Sequence, residues 1–280
     1  MSSIFEGFLS TPEMMDAFDA HALVSAMLRF EAALARAQST CGLIPDAAAQ
    51  SIIGTCKVGL FDVARIVRDS AFAGSLAIPL VKGLKETVGL FNPQAVQYVH
   101  YGCTSQDAID SAMAMVSRDA LALVRADVQL TLDALLALAD THAETPMLAR
   151  TLMQPATVTS FGLKCAGWAA PLARSLARLR TAAPRALQLQ LGGTVGTLVS
   201  MGAQAERVIA LMAHDLGLTQ PVACWHNQRD EWVALGCELG QGHYFAKALP
   251  VEGIERMLLE AGTRGSGEAG RHLVGKGGGF

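Results

Sequence analysis

Paired cysteines are missing from this sequence. Cys41, Cys56, Cys103, Cys165, Cys224 and Cys237 all stand singly, which excludes a CxxC redox or zinc signature. Scattered thiols of this kind fit a reducing cytoplasm. Charge is also scarce. Only 17% of the residues are charged and the net is -3, so there is no basic field for a nucleic-acid backbone. The N-terminus has neither a basic region nor a long apolar run and does not read as a secretory signal. The longest uncharged stretch, Ala186 to Ala205, is broken by Gly192, Gly193, Gly196 and Gly202, which argues against a membrane span. None of the seven histidines stands at metal-ligand spacing within a strong motif, so no metal is expected. Period-two alternation is absent over any useful length, which argues against an extended sheet.

What is present is helical. At 280 residues and 51% hydrophobic, the chain can bury a core without staples, as one large domain or two smaller ones. Ser10-Thr11-Pro12-Glu13 has the pattern of a capping box with proline in the first turn. Behind it, Leu23, Met27, Phe30 and Leu34 share one helical face. Residues 41–106 are interrupted by glycine and proline and read as short helices and loops. From Asp107 to Thr145 there is no glycine or proline at all, which predicts one helix of up to roughly 55–60 Å at about 1.5 Å per residue. Leu121, Val124, Val128, Leu132, Leu135 and Leu138 give that helix an apolar stripe, which needs long partner helices. Further helices are predicted over Ser160–Leu191 (kinked at Pro171 and Pro184), Val199–Leu216 and Asp230–Gly240. The expected architecture is all-α: a small helical N-terminal domain over 1–106, a bundle of long helices over 107–240, and an atypical glycine-rich segment over 241–280.

That last segment contains two phosphate-loop look-alikes. Gly265–Gly270 spells GxGxxG, but a helical pattern precedes it and no acidic ribose ligand follows. Gly270–Lys276 spells GxxxxGK, but Gly277 stands where the Ser/Thr belongs. Neither is read as a nucleotide site.

Four polar clusters carry the functional signal. His100-Tyr101-Gly102-Cys103-Thr104-Ser105-Gln106-Asp107 leads straight into the longest predicted helix. Hydroxyls, an amide and free N–H groups at a helix start suit a carboxylate, although a plain N-cap explains the same residues equally well. The others are Arg150–Thr159, Gln190–Thr197 and Trp225–Asp230. The glycines of the third would let backbone approach a ligand closely. His100 and His226 stand in these clusters, whereas His21, His142 and His214 lie on ordinary helical stretches.

In this order the clusters, with Leu28-Arg29-Phe30-Glu31-Ala32-Ala33-Leu34-Ala35 near the N-terminus, resemble the fumarase/aspartase/argininosuccinate lyase superfamily. Within it, the sequence most resembles the bacterial 3-carboxy-cis,cis-muconate cycloisomerases, over roughly residues 5–240. The resemblance implies a cofactor-free homotetramer with active sites shared between subunits, acting on a small polycarboxylate through a carbanion stabilised next to a carboxylate. It implies substrate-binding roles for Thr104, Ser105, Gln106, Gln154, Thr194 and Arg229, with His100 and His226 as catalytic candidates. The implied reaction interconverts a 3-carboxy-cis,cis-muconate and its muconolactone in aromatic-acid catabolism.

Two departures bear on this. Positions where relatives place histidine hold Leu152 and Pro155, which leaves open a substrate with sulfonate as its third anionic group. The family's serine-bearing loop is not found: Gly275-Lys276-Gly277-Gly278-Gly279 resembles its approach, and Phe280 stands where serine is expected. The expectation for 241–280 is therefore a truncated or shifted-frame end. A lyase of adenylosuccinate or argininosuccinate type and a non-catalytic bundle protein remain the competing readings.

Overall fold

A computed structural model of the chain describes residues 9–236. The glycine-rich patterns of 241–280, with His243 and His272, lie outside the described residues. By contacts the chain divides into Met1–Leu235, which holds the elements below, and Gly236–Phe280.

Helix α1 (Pro12–Ala17) starts on Thr11, whose hydroxyl accepts the Met14 N–H, with proline in the first turn. Helix α2 (Ala20–Thr40) is capped by Asp19, which accepts the Ala22 N–H at 2.6 Å. Its apolar face buries Val24, Met27, Phe30 and Leu34 completely or nearly so. Short helices α3 (Asp46–Thr55), α4 (Val63–Ala73) and α5 (Ala77–Phe91) follow. Turns of 3-10 helix at Val58–Leu60 and Pro93–Tyr98 complete this part. Leu80, Leu84 and Val88 of α5 pack into the same core as α2.

Helix α6 (Ser105–Thr141) is the long one. Its 37 residues correspond to about 55 Å. Only its first half joins the main core, through Ala108, Ala112, Met115 and Val116. Along the second half the predicted stripe is buried at Leu132, half-buried at Val124, Val128 and Leu135, and exposed only at Leu138. Leu132 packs with Ala169 and Leu176, while Leu130, Leu136 and Leu138 are exposed.

Between α6 and α7 the chain forms a hairpin in a stretch where sequence reading predicts no strand. Strands β1 (Pro146–Thr151) and β2 (Gln154–Ser160) pair antiparallel, with Thr151 opposite Gln154. Pro155 and the Thr157-Val158-Thr159 run favour extended backbone over helix. Both faces are largely exposed, so no polar–apolar alternation advertises the strands. Leu152 and Met153 make the two-residue turn with φ of 46° and 64°, the left-handed pair such hairpins require.

Helix α7 (Phe161–Ala186) starts on Ser160 and contains both Pro171 and Pro184. It runs back along α6: Gly162 meets Ala139 and Ala143 at one end, and Gln190 bonds Ser111 just beyond the other. A 3-10 turn (Val199–Gln204) precedes α8 (Ala205–Leu216), so the expected helix from Val199 starts with a different winding. Arg118 of α6 donates to the Leu216 and Gly217 carbonyls at the end of α8. Helix α9 (Asp230–Gly236) ends the described part. Among the described residues the fold is all-α apart from the hairpin, and no helix is long and apolar enough to cross a membrane.

The α6–α7 contact at Gly162 yields a paired test. A Cβ there would lie 2.4 Å from the Ala139 carbonyl oxygen and 2.8 Å from Ala143 backbone atoms. Gly162→Ala is expected to lower stability by about 1–3 kcal/mol through overpacking. Gly167→Ala, at a helical position with open space around the new methyl, is expected to raise it by about 0.5–1 kcal/mol. Urea unfolding midpoints of both variants check the pair.

Candidate active site

Three of the four polar clusters converge at the head of α6. The approach loop is tightly turned: His100 has φ 60° and Gly102 φ 73°. Gln38 of α2 holds the loop by donating to the Tyr101 carbonyl at 2.8 Å. A Cβ on Gly102 would fall 2.4 Å from Ser200 Oγ, so only glycine lets the two loops approach this closely.

Asp107, in the first turn of α6, joins the clusters. Its fully buried carboxylate accepts the Thr104 N–H at 3.0 Å, the Gln190 side-chain amide at 3.0 Å, and the Gly192 and Gly193 N–H groups at 2.9 Å each. Burial pushes its carboxyl above the ordinary range, while these hydrogen bonds pull it back. Gln190 also exchanges backbone hydrogen bonds with the Ser111 hydroxyl and accepts the Trp225 N–H on its side-chain oxygen. One buried glutamine of the third cluster thereby ties the first cluster to the fourth.

Asp110, one turn further along α6, takes both guanidinium arms of Arg229 at 2.9 and 2.8 Å, and the Gln106 amide at 2.7 Å. Arg229 also donates to the His226 carbonyl and lies 5.4 Å from the Trp225 ring centre. His226 Nδ1 is 2.8 Å from Cys224 Sγ. That sulfur fills the space beside Gly192, where a Cβ would meet it at 2.2 Å.

His100 pairs with Glu31 of α2, Nδ1 to Oε1 at 2.6 Å, and Glu31 is 1% exposed. Burial alone pulls the imidazole down, but the Glu31 charge and hydrogen bond, with Asp107 adding, outweigh it against the opposing Lys85 charge. The net shift is upward. Burial pushes the nearby Cys56 and Cys103 thiols up, with the Glu31 charge adding at both and Asp107 at Cys103. Neither suits a nucleophile. On its open side His100 lines a cleft of about 370 Å³ with Ser105, Lys82, Lys85, Glu86 and the apolar Ala77, Ile78 and Val81.

The expected site residues are thus distributed unevenly. Thr104 caps α6, Ser105 borders the cleft, and Gln106 and Arg229 both engage Asp110. Thr194 is exposed on the turn after Gly193. Gln154 is exposed in the hairpin at the far end of α6, about 50 Å of helix away from Ser105. Sequence reading quotes Glu31, Asp107 and Gln190 within its runs but gives no individual role to them, to Asp110 or to the two cleft lysines. Glu31 does leave a signal, a carboxylate on the apolar face of α2 four residues after Met27 and three before Leu34. Among the described residues no cluster of His, Cys, Asp and Glu is placed to hold a metal ion.

Removing the Asp107 carboxylate would strand four N–H donors in a dry interior. Asp107→Ala is expected to cost about 3–5 kcal/mol, read as a lowered urea midpoint. A loss under about 1 kcal/mol would mean that the loops are held by packing instead.

Comparison with known proteins places this arrangement. A family described as lyase matches residues 8–237. The 3-carboxy-cis,cis-muconate cycloisomerase of Pseudomonas aeruginosa is 41% identical over 239 residues, 85% of this chain and 52% of that protein. The crystal structure of 3-carboxy-cis,cis-muconate lactonizing enzyme from Pseudomonas putida superposes with a TM-score of 0.79 at 40% identity, over 83% of this chain and 52% of that one. For the β-carboxy-cis,cis-muconate cycloisomerase structure from Acinetobacter calcoaceticus the TM-score is 0.80 at 36% identity, over 83% and 55% of the two chains. The chain spans about half the length of the curated relatives it matches. By its matched residues and its fold, the chain belongs to the lyase family, within the fumarase/aspartase/argininosuccinate lyase superfamily.

Proposed function

We propose that the chain is a cycloisomerase, an intramolecular lyase that interconverts a 3-carboxy-cis,cis-muconate and its muconolactone in cytoplasmic aromatic-acid catabolism, within the β-ketoadipate pathway. One observation carries the reading. In a chain 41% identical to a named cycloisomerase, the head of α6 opens on a cleft lined by Ser105, His100, Lys82 and Lys85.

The chemistry asks for such a cleft. Lactone formation adds one carboxylate oxygen of the substrate to a carbon–carbon double bond and a proton to the carbon beyond it. No atom other than that proton is gained. Electron density passes through an enediolate beside a carboxylate, so catalysis needs fixed donors where the negative charge grows and a group that delivers the proton. Helix N–H groups with the Thr104 and Ser105 hydroxyls would supply donors, and the two lysines and His100 would offset the charge of a tricarboxylate. Gln106 and Arg229 would act through Asp110, keeping the first turns of α6 and the 225–229 segment in place.

The site also calls for more than one copy. Gln154 and the hairpin tip lie a full helix length from Ser105 in one chain, and the apolar side chains of Leu130, Leu136 and Leu138 on α6 and Leu163 and Trp168 on α7 are exposed. We infer a homotetramer in which long helices pack side by side, bringing Gln154 of one subunit to the α6 head of another, with Thr194 contributed at the same cleft.

Loss of muconate absorbance in the presence of 3-carboxy-cis,cis-muconate tests the reaction. Ser105→Ala should raise KM roughly 10- to 150-fold, equivalent to about 1.5–3 kcal/mol from a lost donor to an ionised group. Turnover of argininosuccinate or adenylosuccinate with none of carboxymuconate would overturn the reading, and unchanged kinetics in Ser105→Ala would reduce that serine to a helix cap.

A further inference from the structure

Glu31 is a carboxylate in the wrong solvent. It lies on the apolar face of α2, 1% exposed, and its Oε2 has no hydrogen-bond partner. A buried carboxylate with one oxygen unpaired is costly, and packing alone gives no reason for it. Its one hydrogen bond among the described residues is to His100 Nδ1 at 2.6 Å. His100 in turn is held at φ 60°, a conformation that residues other than glycine adopt at a cost and that recurs at functional sites. The ring borders the cleft of Ser105, Lys82 and Lys85, and no described residue bonds its Nε2.

We propose that Glu31 is a positioning residue of this site: by accepting the Nδ1–H hydrogen bond it holds the His100 imidazolium so that Nε2–H faces the cleft and donates to a substrate carboxylate. Carboxylates that hold imidazoles in this manner set both tautomer and orientation. The proposal rests on the cycloisomerase reading for the identity of the anion, though not for the Glu31–His100 geometry. The upward shift of His100 agrees with it. The charged groups around the ring are Glu31 on α2, Asp107 on α6, and Lys82, Lys85 and Glu86 on α5, with the Cys56 and Cys103 thiols neutral beside them.

A histidine whose folded value is raised keeps its charge as pH climbs, then loses it, so anion binding should fail as pH rises through the His100 midpoint. Nitrogen-detected NMR titration of the whole chain reads this without any turnover. In the wild type His100 should titrate above the ordinary histidine value, and its neutral form should carry the proton on Nδ1. Citrate, as an unreactive tricarboxylate probe, should raise that midpoint further while leaving His142 unmoved. Glu31→Gln should lower the midpoint by about one pH unit or more, abolish the Nδ1–H preference, and move the alkaline limb of kcat/KM to lower pH. The change should fall on KM more than on kcat.

A wild-type His100 that titrates at or below the ordinary value, with its neutral proton on Nε2, would overturn the proposal. So would a Glu31→Gln pH profile that matches the wild type. Should Glu31→Gln fail to fold, the wild-type tautomer and the citrate response still decide. Turnover of carboxymuconate by a chain whose His100 titrates ordinarily would sink the positioning role alone. The expected tautomer and citrate response without such turnover would sink the cycloisomerase reading alone.

Discussion

The geometry of the α6 head depends on one side chain accepting hydrogen bonds from far along the sequence. The Asp107 carboxylate takes N–H groups from Thr104, Gly192 and Gly193 and the amide of Gln190. The partners from 190–193 are 83–86 residues away. Backbone N–H groups buried without an acceptor are among the costlier defects a fold can carry, so the glycine loop has little choice but to sit against the first turn of α6. Once it does, Gln190 can reach the Trp225 N–H, the Trp225 indole can reach the Leu189 carbonyl, and Arg229 falls into place over Asp110. Three loops become one surface through a single buried acceptor.

The second constraint is length. A 37-residue helix places its two ends about 55 Å apart, and the polar clusters were distributed to both. The α6 head has the Asp107 assembly, while the tail has the hairpin with Leu152 and Met153 at its tip, 94% and 89% exposed. A rod of this kind, apolar along a flank that the other described residues leave exposed, meets the packing requirement of helices beside other rods. Segregating the clusters and leaving that flank bare are two consequences of the same uninterrupted helix.

Much of this was legible in the residues. The absence of glycine and proline from Asp107 to Thr145 marks α6, and its observed start at Ser105 falls within the polar run that sequence reading singles out. The apolar period of Met27, Phe30 and Leu34 marks α2. The hairpin was not legible, because strands exposed on both faces bury no alternate side chain and so leave no period of two. The links within the site were hidden for a different reason. A sequence shows that Arg229 is a cation near other polar residues, but which anion it faces depends on where α6 places Asp110, 119 residues away. The same holds for Asp107, which reads as one more acidic residue in the first turn of a helix until the glycine loop is folded onto it.

These links also bear on how a cleft with buried carboxylates nearby could receive an anion. Glu31, Asp107 and Asp110 are all buried, at 1%, 0% and 4% exposure. Left bare, three like charges would repel any carboxylate guest and each other. Each is instead committed inward: Glu31 to an imidazole, Asp107 to four N–H groups, Asp110 to a guanidinium fork. Their donors face them and not the cleft, so the field at Ser105 is set by what remains, namely Lys82 and Lys85 with Glu86 opposing them, the outer edge of His100 and the positive end of α6. On this account Ser105→Ala and a charge change at Glu31 should not act alike. The first removes a donor from an unchanged field, whereas the second alters the field and the ring that carries it. Loss of binding that is flat with pH would belong to the serine, and loss that grows with pH to the glutamate.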